Sequence, residues 1–184
     1  LKALSFSGIV CSRPGQGTFL TKDAYLRIAN YDLIGTIANC SSISDLMETR
    51  IIIESQLAGL AAKRATDEDI QLISSALEEL KADLLAQINS GTRTNPTRSG
   101  MKFHTAIINA AKNKLLSEFL YSIRGELEAQ RSQLSLYQSN IIEMIDDHVR
   151  IYQAIVNNDS VGAAQAMMNH LKHTYKTINE NKDV

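Results

Sequence analysis

The chain holds four histidines in 184 residues, and three of them fall where a helix would place a hydrophobe. His104 shares a helical stripe with Met101, Ile108, Ala111 and Leu115; His148 shares one with Ile141, Ile145, Tyr152 and Ile155; His170 shares one with Ala163, Met167 and Thr174. All three side chains are expected to face inward. Neutral imidazoles converging in a bundle core are the donor set of a transition-metal site. A single inward histidine is more often a hydrogen-bonded core residue, so the metal reading depends on relative placement. If the segments around His148 and His170 form a helical hairpin, His148 lies nine residues before Asn157 and His170 ten after Ser160. At about 1.5 Å per residue each stands about 14 Å from the turn, so the two rings come to the same height. His173, one turn after His170, is expected to face solvent.

The elements that must carry these side chains are helices. Ala, Leu, Ile, Glu and Gln dominate, tryptophan is absent and there are two prolines, which favours an almost all-α body. Ser41, Ser42 and Ser44 offer caps for an amphipathic segment over about 43–65, with Leu46, Met47, Ile51, Leu57 and Ala61 on one side. Thr66 and Asp69 match an acidic capping box for a second long helix to about 89, through Ile70, Ile73, Leu77, Leu80 and Leu84. Residues 90–100 read as a polar, Gly- and Pro-containing break. A short helix over 103–111 ends at Lys112-Asn113, a longer one spans 115 to about 137, and two more cover about 140–156 and 160–178, with Ser160 available as a cap. The total is six body helices without an internal repeat.

At the other end, Gly8 sits where a helix needs a left-handed stop, Ile9 and Val10 favour extended backbone, and Pro14, Gly15 and Gly17 form a tight turn before Thr18 and Phe19. This pattern is a small β-wing. Residues 22–40, with Tyr25, Ile28, Leu33 and Ile37 at helical spacing, suit a linker helix. The net charge of −1 gives no global attraction to nucleic acid, so DNA contact would need a local basic surface. Two cysteines make no disulfide framework, and no secretory signal or bilayer-spanning apolar run is present. The expected location is the cytoplasm, with no membrane partner.

Several words of this chain recur in a known family. The stretch from Leu4 through Gly8-Ile9-Val10 into Arg13-Pro14-Gly15-Gln16-Gly17-Thr18 resembles the end of the winged helix-turn-helix of GntR-type transcription regulators. The body, through Asp45 to Arg50 and Glu54, Ala61-Ala62 to Thr66, Phe103-His104 with Asn113, His148 with Asp159, and Met168-Asn169-His170-Leu171, resembles the FCD effector-binding domain of the FadR subgroup. The resemblance implies an all-α antiparallel bundle of six or seven helices preceded by the wing fragment. It implies three parts: 1–22 wing fragment, 23–42 linker helix, 43–184 effector-binding domain.

It also implies roles for particular residues. His104, His148 and His170 would ligate a divalent transition metal, Zn²⁺ or Ni²⁺ being favoured; Arg50 and Asn113 would bind a small carboxylate effector; and Arg13, Gly15, Gln16, Gly17 and Thr18 would approach DNA. One position departs from the family pattern. The family places an Asp four residues before the first histidine, and here that residue is Gly100. Three outcomes stay open: a three-His site completed by water or a ligand carboxylate, a metal-free anion pocket, or substitution by a loop residue such as Asn95. For Arg50, the alternative to an effector role is a surface ion pair with Glu54, worth about 0.3 kcal/mol.

The function read from these residues is a homodimeric, ligand-responsive regulator of operator DNA, with no enzymatic chemistry. The alternatives are a metal-dependent enzyme using the three-His centre, for which no HExxH motif or accompanying base is present, and a metal-free effector-binding module.

Overall fold

The computed structural model describes residues 1–28, 42–90, 97–122 and 141–180. The chain divides into two compact units, Leu1–Ser41 and Ser42–Val184.

In the first unit a short helix α1 (Lys2–Phe6) leads into strands β1 (Val10–Arg13) and β2 (Gly17–Leu20). The strands pair antiparallel, with Val10 opposite Leu20 and Arg13 opposite Gly17. Gly8, Gly15 and Gly17 take positive φ of 68°, 71° and 102°, which is why glycine occupies the helix stop and the hairpin tip. Thr21 Oγ1 donates to the Gly8 carbonyl at 2.7 Å and ties the second strand back to the helix stop. The strand–turn–strand hairpin expected from sequence is therefore present. Of the expected linker helix, residues 24–28 are helical, with Ala24 buried and Tyr25 and Ile28 exposed, and its remainder lies outside the described residues.

Six helices make up the second unit among the described residues: α2 (Ile43–Arg64), α3 (Asp67–Ser90), α4 (Thr97–Ala110), α5 (Lys114–Ser122), α6 (Ile141–Val156) and α7 (Ser160–Glu180). The expected capping box at Thr66 forms, and Ser42 makes a second one with Asp45. Ser42 Oγ accepts from the Asp45 N–H at 3.1 Å while Asp45 takes the Ser42 N–H, and Thr66 with Asp69 repeats the arrangement. Helix α2 packs on α7, α3 on α4 and α6 on α7, around a core that includes Leu57, Ile73, Leu80, Phe103, Ile151 and Leu171.

Three details differ from the sequence expectation, and one lies partly outside the described residues. Helix α4 begins at Thr97, so the end of the polar 90–100 stretch is helical: Ser99 and Gly100 are buried and belong to the bundle. Leu115 does not share the stripe of His104, because Lys112 turns the chain with φ 51° and leaves Leu115 exposed on α5. The helix expected to 137 is described only to Ser122; the rest, like Asn95, lies outside the described residues. Finally, Asp159 rather than Ser160 caps α7, its Oδ1 accepting from the Gly162 N–H at 2.8 Å.

Gly59 sets the approach of α2 to α7. A Cβ built there would stand 2.9 Å from the Ser160 carbonyl oxygen and 3.4 Å from the Ala164 Cβ. Gly59→Ala is accordingly expected to destabilise the protein by about 1–3 kcal/mol through overpacking, outweighing the gain in helix propensity. Chemical denaturation tests this, and an unchanged midpoint would mean that the two helices can separate without loss.

Candidate metal centre

Three helices deliver one histidine each to the same point. His104 comes from α4, His148 from α6 and His170 from α7, and all three are buried. Ring centroids are 4.2 Å apart for His148 and His170, 5.2 Å for His104 and His170, and 5.9 Å for His104 and His148. One nitrogen from each ring lies within 4.8 Å of the others. The equal-height argument for the hairpin is thus realised in the α6–α7 pair, whose turn is made by Asn158 at φ 56°. Phe103, fully buried, meets both His104 and His148 edge-on, at 6.1 and 5.2 Å between centroids, and closes one wall.

Neighbouring oxygens fix which nitrogen of two rings carries the proton. His148 Nδ1 lies 2.6 Å from the Met144 carbonyl one turn earlier, and a carbonyl only accepts, so Nδ1–H donates and Nε2 keeps its lone pair. His104 Nδ1 lies 2.7 Å from Glu54 Oε2. Burial by itself would raise the carboxyl of Glu54, but the Arg50 guanidinium and His104 outweigh it and hold the group well below the usual carboxylate range. Glu54 is therefore an acceptor, and His104 also presents Nε2. Both are the tautomers a metal ligand needs, with an oxygen behind the ring to orient it. His170 Nδ1 stands 4.0 Å from Asp147 Oδ2, a looser approach.

Arg50 joins this site through Glu54. Its Nε donates to Glu54 Oε1 at 2.6 Å and its Nη2 to Oε2 at 3.4 Å, one helical turn apart on α2, and both side chains are only 4% exposed. The ion pair weighed against an effector role does exist, but it is buried against the histidines and the surface magnitude does not apply to it. Asn113 is not brought to the cluster in the same way. It precedes α5, where its Oδ1 accepts from the Leu116 N–H at 3.3 Å, nine residues along the chain from His104. In the first unit, Arg13, Gly15, Gln16, Gly17 and Thr18 are all exposed, and Arg13 lies over the Phe19 ring at 5.7 Å.

Two carboxylates complete the surroundings. Glu54 entered the sequence reading only as a partner for Arg50, although its i+4 spacing placed it on the same buried stripe. Asp147 was missed. It is buried, takes Arg150 Nη1 at 3.2 Å and lies 2.9 Å from Nδ1 of His173, which is 62% exposed as expected. Arg150 is a local i,i+3 partner of Asp147, but only the approach of α7 brings in the histidines.

The donor set fits a divalent transition ion: three imidazole nitrogens, with carboxylates placed behind the rings of His104 and His170. Among the described residues no carboxylate joins the three nitrogens as a fourth close donor. At Gly100, one turn before His104, the nearest atom to a built Cβ is Leu80 Cδ1 at 4.0 Å, an ordinary van der Waals contact, so a Cβ fits at the position where the family has its Asp.

Residues 45–173 match the FCD domain. The chain is 26% identical over 176 residues to the HTH-type transcriptional regulator LutR of Bacillus subtilis, spanning 93% of this chain and 78% of that protein. It is 28% identical over 189 residues to an L-lactate dehydrogenase operon regulatory protein of Escherichia coli K12, spanning 97% of this chain and 69% of the relative. In three dimensions it resembles a GntR protein of Streptococcus agalactiae, with a TM-score of 0.59 at 23% identity over 95% of this chain and 78% of the other. No described helix is long and apolar enough to cross a membrane. With the domain match covering most of the second unit, the chain belongs to the FCD-domain family of GntR-type transcription regulators.

Proposed function

We propose that the second unit is a sensor in which His104, His148 and His170 hold a divalent transition metal, Zn²⁺ or Ni²⁺, and Arg50 draws in the carboxylate of a small organic acid. The observation that carries this reading is the convergence of three buried imidazoles, two of them with Nδ1 bonded to an oxygen, beside a buried arginine. The ion, when bound, supplies open coordination positions for an oxygen donor. Arg50 supplies a planar fork suited to a carboxylate, and Phe103 keeps one side of the site dry. Asn113 belongs to this reading as an effector contact only if the ligand extends toward the start of α5.

The wing residues Arg13, Gly15, Gln16, Gly17 and Thr18 approach operator DNA: the two glycines allow close passage of backbone and Arg13 adds charge. Residues 1–22 act as part of the DNA reader, 23–42 as the linker helix and 43–184 as the sensor, in a cytoplasmic homodimer. Effector binding acts by differential affinity for two arrangements of the wings, and no chemistry on the effector is needed.

Metal analysis of protein purified without chelator, with thermal shifts in Ni²⁺ or Zn²⁺ and in L-lactate, succinate and citrate, tests the sensor. At a ligand concentration of 100 Kd the expected stabilisation is about 2.7 kcal/mol. His148→Ala should abolish the metal-dependent shift and Arg50→Ala the carboxylate-dependent one. Ligand stabilisation indifferent to both substitutions, in a protein free of metal, would sink the site and leave a metal-free module.

A further inference from the structure

The proposed metal and the proposed effector meet at one shared group. Glu54 gives Oε1 to Arg50 Nε at 2.6 Å and Oε2 to His104 Nδ1 at 2.7 Å, with Arg50 Nη2 3.4 Å from the same Oε2. Its carboxylate is buried and one helical turn from Arg50, so both donors draw on a single charge. Two donors on one carboxylate compete. Density drawn toward the guanidinium is withheld from the imidazole, and the strength of the bond behind a ligating histidine sets how good a donor its far nitrogen is.

We propose that Glu54 is a positioning residue that couples the carboxylate-binding arginine to the metal centre, so that occupation of one strengthens binding at the other. This rests on the metal and effector roles proposed above. A ligand carboxylate that engages Arg50 loosens its fork from Glu54, Glu54 then bonds His104 more fully, and the Nε2 of His104 becomes the better donor. In the reverse direction, a cation on His104 polarises its Nδ1–H, draws Glu54 toward the ring and releases donors of Arg50 to an incoming carboxylate. Linkage makes the two factors equal, and a coupling of about tenfold is expected, within the range usual between coupled sites.

Calorimetric titration of the full chain with Ni²⁺, in the absence and presence of saturating L-lactate, reads the coupling. Wild type should bind Ni²⁺ about tenfold more tightly with L-lactate present. Glu54→Gln keeps an acceptor oxygen for His104 but not the shared charge, and should reduce that factor at least about fivefold. Direct contact between L-lactate and the ion would be common to both proteins and cancels in the comparison. Arg50→Lys, which keeps the charge but loses the fork, supplies a second reading without L-lactate: Ni²⁺ alone should bind about threefold more tightly, because Glu54 is then less shared. Should Glu54→Gln not fold, or L-lactate not bind, the Arg50→Lys measurement decides. Equal coupling in wild type and Glu54→Gln, or Ni²⁺ affinity unchanged in Arg50→Lys, would overturn the coupling while leaving the metal site standing. Failure of wild type to bind Ni²⁺ at all would remove both.

Discussion

Replacing Gly100 by aspartate is expected to tighten Ni²⁺ or Zn²⁺ binding by on the order of 100-fold, the largest gain any single substitution should produce here. Gly100 lies on α4 one turn before His104, on the same inward face, and the nearest atom to its missing Cβ is Leu80 Cδ1 at 4.0 Å. A Cβ fits there, and a carboxylate on it would add the anionic oxygen that the three imidazoles lack. Without metal the same carboxylate would be buried beside an apolar side chain, at a cost of at least about 1–3 kcal/mol. The variant should therefore be less stable than wild type in chelator and more stable in saturating metal. This crossing of the two stabilities, read by denaturation with and without Ni²⁺, separates ligation from a general effect on packing. Equal affinity in the two proteins would mean that residue 100 does not face the ion.

Removing Glu54 should be the most damaging change to the apo fold. Glu54→Ala leaves Arg50 buried with its charge uncompensated and takes the orienting oxygen from His104. Breaking a buried pair in this way costs about 3–5 kcal/mol, equivalent to a fall in Tm of about 10 °C for a protein of this size. The double variant Arg50→Met/Glu54→Met removes both charges and should recover most of the loss, since two apolar side chains can fill the volume of a buried pair. A double variant as unstable as Glu54→Ala would show that packing, not the unpaired charge, is responsible. The pair also predicts a pH dependence. The carboxyl of Glu54 is held below its ordinary value of 4.5, so its contribution is complete above that pH and declines as the pH falls below it. Glu54→Ala should lack that component of acid destabilisation.

Much of the site could be read before any coordinates. The inward direction of His104, His148 and His170 follows from a period of 3.6, and the matching height of His148 and His170 from the rise per residue and the short turn between α6 and α7. The capping box of Thr66 and Asp69 and the serine caps ahead of α2 were legible because a cap is local. The β-hairpin was legible for the same reason: its glycines answer to positive φ, a property of single residues.

What failed to show was non-local. The start of α4 at Thr97 was hidden because Thr, Ser and Gly have little intrinsic helix preference, and burial of Ser99 and Gly100 against the bundle overrides it. Asp147 carries no periodic signal, and its meeting with His173 depends on how α7 lies along α6. Arg50 and Glu54 were legible as an i,i+4 pair, which by itself is a surface pair of small worth.

The sequence by itself thus determined which residues turn inward, where helices are capped and where the hairpin bends, because each depends on bonds and dihedrals within a few residues. Only the tertiary structure decided that His104, fifty residues from Glu54, would share its carboxylate with Arg50. Packing α2 against α4 and α6 took that ion pair out of water, and burial is what turns a weak helical pair into the hub between two proposed binding groups.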